Sequence, residues 1–475
     1  MRPIVSLPNP ARSKCMKTSS NTPSLSRRKF IQGSGTGLAL FHIAPASVLG
    51  GPKHIAPNDK IQIAGIGVGS RGGADVNGMR KEAIVAIADV DHTYAGKILK
   101  GYPDAKAFTD YRKMLDEMDG SIDAVVIGTP DHTHSVIAMD AMKRKKHVYC
   151  EKPLCHSVNE VRALTKAAKA SGVVTQLGNQ GHSSEHIRRL QEWVHDGAIG
   201  KVTEVRAACN AFKHVYCQIN KMDQLKNRPP VPEHLDYDLW LGPASYRAYS
   251  PLWVHWNWRG WMPFGTGCLG DWFCHVADPS YWALDLGLPE SVHAEVEGYD
   301  PKIHADLYPA GVKITFQFPA KGKRGPVKFV WYDGNKGIER PPHLEEGRKV
   351  PGTGGVLIGE NAGMTHGSHG ASGARIFPET RMREYQANMA EKTIPRAPGG
   401  NHHQDFLHAI REGRKAGSDF AEYGGPLTEC ALVGAAAIRF PGQTLKYDAK
   451  KARFTNNDEA NKLLAPPYRE GWTLT

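Results

Sequence analysis

The stretch KIQIAGIGVGSRGGADVNGMRKEAIVAIAD, Lys60–Asp89, decides the fold. Lys60–Ile66 is a short apolar run of strand character. It leads into Gly67-Val68-Gly69-Ser70-Arg71-Gly72, a G-x-G-x-x-G, and then into a helical segment reaching about Lys81. Ala83–Asp89 reads as a second buried strand that ends in an acid. Each part has a physical role. Gly67 permits the tight turn, Gly69 lets the backbone approach a pyrophosphate, and Gly72 lets the helix pack close to the strand. The helix N-terminus favours phosphate charge. Asp89 stands 22 residues after Gly67, the spacing of an acid that binds ribose hydroxyls. A glycine motif alone is weak in a chain with 50 Gly, but strand, turn, helix, strand and acid in this order predict a dinucleotide site. A carboxylate at Asp89 repels a 2′-phosphate, so NAD is expected, while Ser70 and Arg71 leave NADP open.

The alternation continues. Helices are expected over Asp110–Met118, Ser135–Lys146 and Ser157–Ala170, with strands over Ile122–Gly128, His147–Cys150 and Val173–Leu177. Such alternation implies a doubly wound parallel sheet, an α/β Rossmann domain whose ligands bind at the carboxyl ends of the strands. Three motifs sit at those ends: the glycine loop, Thr129-Pro130-Asp131-His132-Thr133-His134, and Glu151-Lys152-Pro153.

These motifs, together with Gly267-Cys268-Leu269-Gly270-Asp271-Trp272-Phe273-Cys274-His275, resemble the glucose–fructose oxidoreductase/inositol dehydrogenase (Gfo/Idh/MocA) family from about Lys60 to the C-terminus. The resemblance implies a second, α+β domain with a large, mostly antiparallel sheet that supports oligomers and one wall of the active site. It maps the catalytic residues onto Lys152, Asp271 and His275, and it implies a cis Lys152–Pro153 bond. It also places Thr129, Pro130, His134 and Glu151 with the cofactor, His134 beside the nicotinamide ribose. The chemistry agrees with the mapping. Oxidising a secondary alcohol needs a base, which His275 supplies near neutral pH. Lys152 donates to the forming carbonyl oxygen. Asp271 and His275 are spaced i,i+4, on one face of a helix. His132 and His134 lack the Cys or carboxylate partners of a zinc site, so no metal is expected.

Past Gly181 the sequence changes character. A helix is expected over His182–Asp196 and strands over Lys201–Cys209, Ser291–Tyr299, Val312–Phe318 and Val327–Tyr332. Asn220–His234 reads as an insertion. Seven of the ten Trp lie between Trp240 and Trp282. Aromatic faces suit both a domain core and the C–H faces of sugar rings, so Asn257, Arg259 and, further on, His402 are candidate substrate contacts. Gly352–Gly373 is Gly-rich and reads as loops, one a candidate cover for the active site. Gly425 begins a helix to Arg439 that the resemblance packs back towards the first domain.

The formal net charge of +12 suggests nucleic acid until its distribution is read. The first acidic residue is Asp59. Ser26-Arg27-Arg28-Lys29-Phe30-Ile31 precedes a Gly-rich apolar run and Ala44-Pro45-Ala46, which resembles a twin-arginine (Tat) export signal with its cleavage site. Seven cations and no acid precede Ala46, so cleavage there leaves +5, an ordinary surface balance. No nucleic acid and no membrane span after cleavage are expected. The eight Cys form no C-x-x-C, and a disulfide framework is not expected.

The domains expected are a signal over 1–46, a linker over 47–58, a Rossmann domain over 59–181, a substrate and oligomerisation domain over 182–425, and a C-terminal helix and tail over 426–475. The function expected is an NAD(P)-dependent oxidoreductase with a tightly bound cofactor, periplasmic or otherwise exported by the Tat route. Its substrate is a secondary hydroxyl of a sugar, polyol or glycoside, and its other partners are the Tat machinery and copies of itself. An NAD-dependent glycosidase and a non-catalytic dinucleotide sensor are the alternatives.

Overall fold

The computed structural model describes residues 55–56 and 59–474. The export signal expected over 1–46 lies outside the described residues, as does the linker over 47–58 apart from 55–56. The first sheet holds β1 (Gln62–Ile66), β2 (Ala83–Ala88), β3 (Lys106–Phe108), β4 (Ala124–Ile127), β5 (His147–Cys150) and β6 (Thr175–Leu177). Its order is β3-β2-β1-β4-β5-β6, with every pairing parallel. The order reverses between β1 and β4, which opens a crevice at their carboxyl ends. The central strands read as unbroken apolar runs because both faces are covered; Ala124–Ile127 is buried at every position. Helices α1 (Arg71–Gly78), α2 (Asp131–Lys143) and α3 (Val158–Ser171) follow β1, β4 and β5. Ser157 caps α3 in a capping box with Glu160.

The second sheet has nine strands: β7 (Val202–Cys209), β8 (Ser291–Glu297), β9 (Gly311–Phe318), β10 (Val327–Gly334), β11 (Thr353–Gly359), β12 (Gly363–Gly367), β13 (Arg375–Phe377), β14 (Thr444–Asp448) and β15 (Arg453–Phe454). They run β13-β12-β11-β7-β10-β9-β8-β14-β15, antiparallel except where β10 meets β7. Both sheets belong to one compact unit. Helix α4 (Gly267–Val276) packs its buried face against the second sheet, where Phe273 meets Phe316, Phe329 and Trp331. Helix α5 (His402–Glu412) comes late in the chain but sends Phe406 and Leu407 into the core on one face of the first sheet. Helix α6 (Gly425–Ala437) runs between α3 and α4, tied to the first domain by the Arg162–Glu429 ion pair.

One expectation changes. Gly352–Gly373 is not a run of loops: β11 and β12 pair through it. Glycine is required there by close approach, since a Cβ on Gly359 would sit 2.1 Å from the Ile199 carbonyl oxygen and one on Gly363 2.0 Å from the Phe377 ring. The Trp-rich stretch divides. Trp240, Trp253, Trp258 and Trp261 form a separate buried cluster with Phe264 and Leu307, while Trp256 stays exposed and Trp272 and Trp282 are half-buried.

The loop after β4 fastens the halves together. The buried Asp131 carboxylate accepts from the Thr266 amide (3.1 Å) and hydroxyl (2.7 Å), capping α4 from across the joint. His132 places its ring nitrogens 3.3 Å and 3.0 Å from the Phe264 and Trp240 carbonyl oxygens. Replacing Asp131 with leucine orphans the Thr266 amide in the core. Stability is expected to fall by about 1–3 kcal/mol in urea unfolding, with the native fold retained.

Candidate active site

The cleft at the carboxyl ends of β1, β2 and β4 is lined by Gly67, Gly69, Ser70, Arg71, Asp89, Thr129 and Pro130. Gly67 has φ +73 and faces Thr129, and a Cβ on Gly72 would lie 2.2 Å from the Gly67 carbonyl oxygen. The loop therefore closes only with glycine at these positions. Asp89 ends β2 and is buried. Its Oδ2 accepts from the Val68 (2.7 Å) and Gly69 (3.1 Å) amides, and its Oδ1 from the Asp91 amide (3.0 Å). Burial pushes its carboxyl up, and these three amides oppose that shift. The bare glycine backbone and the acid at the strand end fit a dinucleotide.

A second segment covers this cleft. Asp91, 1% exposed, accepts from His234 (3.0 Å) and lies 3.3 Å from His255 Nε2. Asp91 also bridges to Leu235, and Asp236 donates its amide to the Val90 carbonyl (2.9 Å). The His255 ring stacks on Tyr94 at 4.1 Å, and Tyr94 lies directly over Gly69. From the far end of the chain, Trp472 lines the same cleft and holds Arg112 over its ring at 4.7 Å.

Arg71 lines the cleft with its guanidinium tied to two acids. Its guanidinium pairs with Glu151 (3.2 Å) and Asp75 (3.0 Å), and His403 meets Asp75 at 2.9 Å. Burial pushes Glu151 up to about 7, helped by Asp75, and pushes Asp75 up to about 6 against the pull of Arg71. Glu151 therefore belongs to a buried charge cluster behind Lys152.

Lys152, Asp271 and His275 come together. Lys152 stands at the carboxyl end of β5, where the Lys152–Pro153 peptide is cis. Its ammonium donates to Asp271 Oδ1 in α4. Tyr216 donates its hydroxyl to Asp271 Oδ2, and Arg259 Nε lies 3.3 Å from that oxygen. Burial alone pushes the Asp271 carboxyl up, but Lys152 and Arg259 outweigh it and hold it at about 2. Burial pulls the Lys152 ammonium down, and Asp271 with Glu151 more than restores it, so it stays charged. His275, one turn along α4, is 5% exposed, and its Nδ1 has no hydrogen-bond partner. Burial, then the Lys152 charge, holds its imidazole well below the usual histidine range, so it is neutral at pH 7.

Of the other expected site residues, Arg259 joins the cluster at Asp271, while His134 and His402 are engaged inside the fold. His134 is 1% exposed, with its ring nitrogens 2.9 Å from the Pro153 and 2.8 Å from the Thr129 carbonyl oxygens, and donates its N–H to one of them inside the fold. His402 faces Ser183 Oγ and the Leu177 carbonyl, each at 2.7 Å, and both ring nitrogens are engaged inside the fold. Asn257 opens the turn that carries Arg259; the Arg259 guanidinium lies 4.0 Å and 4.2 Å from the rings of Trp256 and Trp258. Sequence reasoning missed three groups. Tyr216 sits in a one-turn helix with no motif around it. His369 stacks on His275 at 4.0 Å and comes from the Gly-rich region read as loops. Asp91 gave no signal beyond following Asp89.

Comparison with known proteins agrees with this geometry. The family described as "Oxidoreductase family, NAD-binding Rossmann fold", Gfo/Idh/MocA, matches residues 60–179. Its C-terminal alpha/beta domain matches 183–324 and 350–474. The chain belongs to this oxidoreductase family. A levoglucosan dehydrogenase of Pseudarthrobacter phenanthrenivorans is 24% identical over 74% of this chain and 87% of its own length. A myo-inositol 2-dehydrogenase of Thermotoga maritima is 26% identical over 38% of this chain and about half, 48%, of its own. A levoglucosan dehydrogenase solved with NADH and levoglucosan shares the fold at a TM-score of 0.52 and 18% identity, covering 82% of this chain and 99% of that one. The first sheet is an NAD-binding Rossmann domain.

The Glu151 carboxyl titrates higher in the folded than in the unfolded chain. Its contribution to stability is present below about pH 4.5 and lost as pH rises through about 7. In urea titrations across that window, Glu151→Gln is expected to lose less stability with rising pH than the wild type.

Proposed function

We propose that this oxidoreductase removes hydride from a secondary hydroxyl of a sugar, polyol or glycoside, with Lys152 and His275 acting on the hydroxyl. The observation that carries this reading is the Lys152–Asp271 ion pair with a neutral histidine one turn further along α4. NAD, held by the glycine loop and Asp89, supplies the hydride acceptor when bound. Lys152 places a fixed positive donor where negative charge develops on the substrate oxygen. Asp271 stays ionised and, with Tyr216, fixes the direction of that donor. Burial and the Lys152 charge hold His275 below the usual histidine range, and its unpartnered Nδ1 is free for the hydroxyl proton. Its low basicity matches a proton that is acidified as the carbon–oxygen bond gains carbonyl character. The names of the two dehydrogenase relatives support a ring bearing several hydroxyls.

The reading extends to compartment and cofactor exchange. The paired Arg27 and Arg28, ahead of a Gly-rich apolar run, support Tat export, which carries folded proteins. No helix among the described residues is long and apolar enough to cross a membrane. The cover formed by Tyr94, His255 and Trp472 supports a cofactor that stays bound between turnovers. A retained cofactor also serves transient oxidation during glycoside cleavage. Net NADH marks a dehydrogenase, and a released sugar without net NADH marks cleavage.

Two measurements test the reading. Sugars, inositols and glycosides are screened for nicotinamide absorbance change with the purified protein. At least one is expected to respond, with kcat falling at least about 100-fold in Lys152→Ala and NAD still bound. Equal turnover in wild type and Lys152→Ala overturns it. Gel filtration followed by denaturation then reports retained nucleotide, expected in wild type and reduced in Asp91→Ala, which unties the cover.

A further inference from the structure

The catalytic groups border a band of aromatic rings that the oxidation itself does not use. Trp272 follows Asp271 in α4. Its indole N–H donates to the Tyr216 hydroxyl (2.8 Å), the hydroxyl that itself donates to Asp271. The Trp272 ring stands edge-on to His275 at 6.1 Å and to His369 at 5.3 Å. Phe212 lies 6.1 Å from the same ring, and Trp256 lies 6.4 Å from Phe212. Trp256 in turn backs Arg259. The band therefore runs His369–Trp272–Phe212–Trp256 without a break and begins against the proposed base.

The outer half of this band faces water. Phe212 is 48% and Trp256 39% exposed. Phe212 also has φ +51, a left-handed conformation rarely adopted by a bulky residue and costly to hold. A half-exposed ring gains little from packing to offset that cost. Strained residues of this kind cluster at ligand sites, and exposed apolar patches mark binding surfaces. The neighbours Lys213 and His214 are exposed as well, so polar donors edge the apolar rings.

We propose that this band is a binding platform for a second sugar ring, glycosidically linked to the ring that is oxidised. The substrate is then a di- or oligosaccharide. This rests on the carbohydrate dehydrogenase reading above. Continuity decides the occupant. Trp272 and Tyr216 join the platform to Asp271, so a single molecule reaching the catalytic groups also crosses the rings. Aromatic faces match the C–H faces of a pyranose, while Arg259, Lys213 and His214 match its hydroxyls. Contacts remote from the reacting carbon contribute to turnover, so a truncated substrate loses rate as well as affinity.

The test uses the NAD-loaded protein with glucose, maltose, cellobiose and trehalose. Wild-type kcat/KM is expected to be about tenfold higher for at least one disaccharide than for glucose. Phe212→Ala is expected to remove most of that preference with glucose turnover kept, and Phe212→Tyr to restore it. A wild type without the preference, or a preference that survives Phe212→Ala, overturns the proposal. Tryptophan fluorescence titration with the same disaccharides needs no turnover. Saturable quenching that Phe212→Ala abolishes, with no sugar, inositol or glycoside oxidised, upholds the platform and rejects the dehydrogenase reading. No quenching and no turnover with any disaccharide overturns the platform. So does a change in sedimenting mass in Phe212→Ala with selectivity intact, which marks a contact between copies.

Discussion

The Lys152–Asp271 ion pair is the constraint on which the site depends. Each charge alone is costly in this interior, and removing one partner from a buried pair destabilises by about 3–5 kcal/mol. The pair is tolerable because Asp271 is satisfied three times over, by Lys152, Tyr216 and Arg259. It also joins the end of β5 to the middle of α4. The first sheet and the second domain can therefore satisfy these charges in one relative position. Asp131 capping α4 and His132 facing two carbonyls fix the same joint a few residues away. Fold and site are thus held by one set of contacts.

The same electrostatics set the proton chemistry. A charged lysine beside a buried histidine penalises imidazolium, so His275 rests neutral while Asp271 rests ionised. Behind Lys152, Arg71 balances two carboxylates whose burial pushes both towards neutral pH. An arginine that the glycine motif alone would offer to a phosphate is spent on that balance. Together with the carboxylate of Asp89 against the loop amides, this favours NAD at the ribose end of the cleft.

Much of this was legible in the sequence, for identifiable reasons. Parallel strands buried on both faces leave unbroken apolar runs, so β1, β2, β4 and β5 announce themselves. Glycine loops and strand-end motifs are local, so Gly67–Gly72, Lys152 and the Asp271–His275 spacing could be placed by pattern and resemblance. What depended on long-range pairing was hidden. Gly354, Gly355, Gly359 and Gly363 lower strand propensity, yet β11 and β12 form by pairing with β7, β13 and each other, and glycine stands where neighbouring atoms leave no space for a Cβ. Tyr216 reaches Asp271 across 55 residues with no motif to mark it. His134 and His402 carry the right chemistry for a site, but carbonyls and a serine take up their ring nitrogens.

The central claim is that Lys152 and Asp271 act as a unit on the substrate oxygen. A double-substitution cycle of Lys152→Met and Asp271→Asn on kcat/KM addresses it directly. Groups that act together give non-additive losses, so the double variant is expected to be about as impaired as the worse single variant. Losses that add in free energy across the two positions would contradict the account.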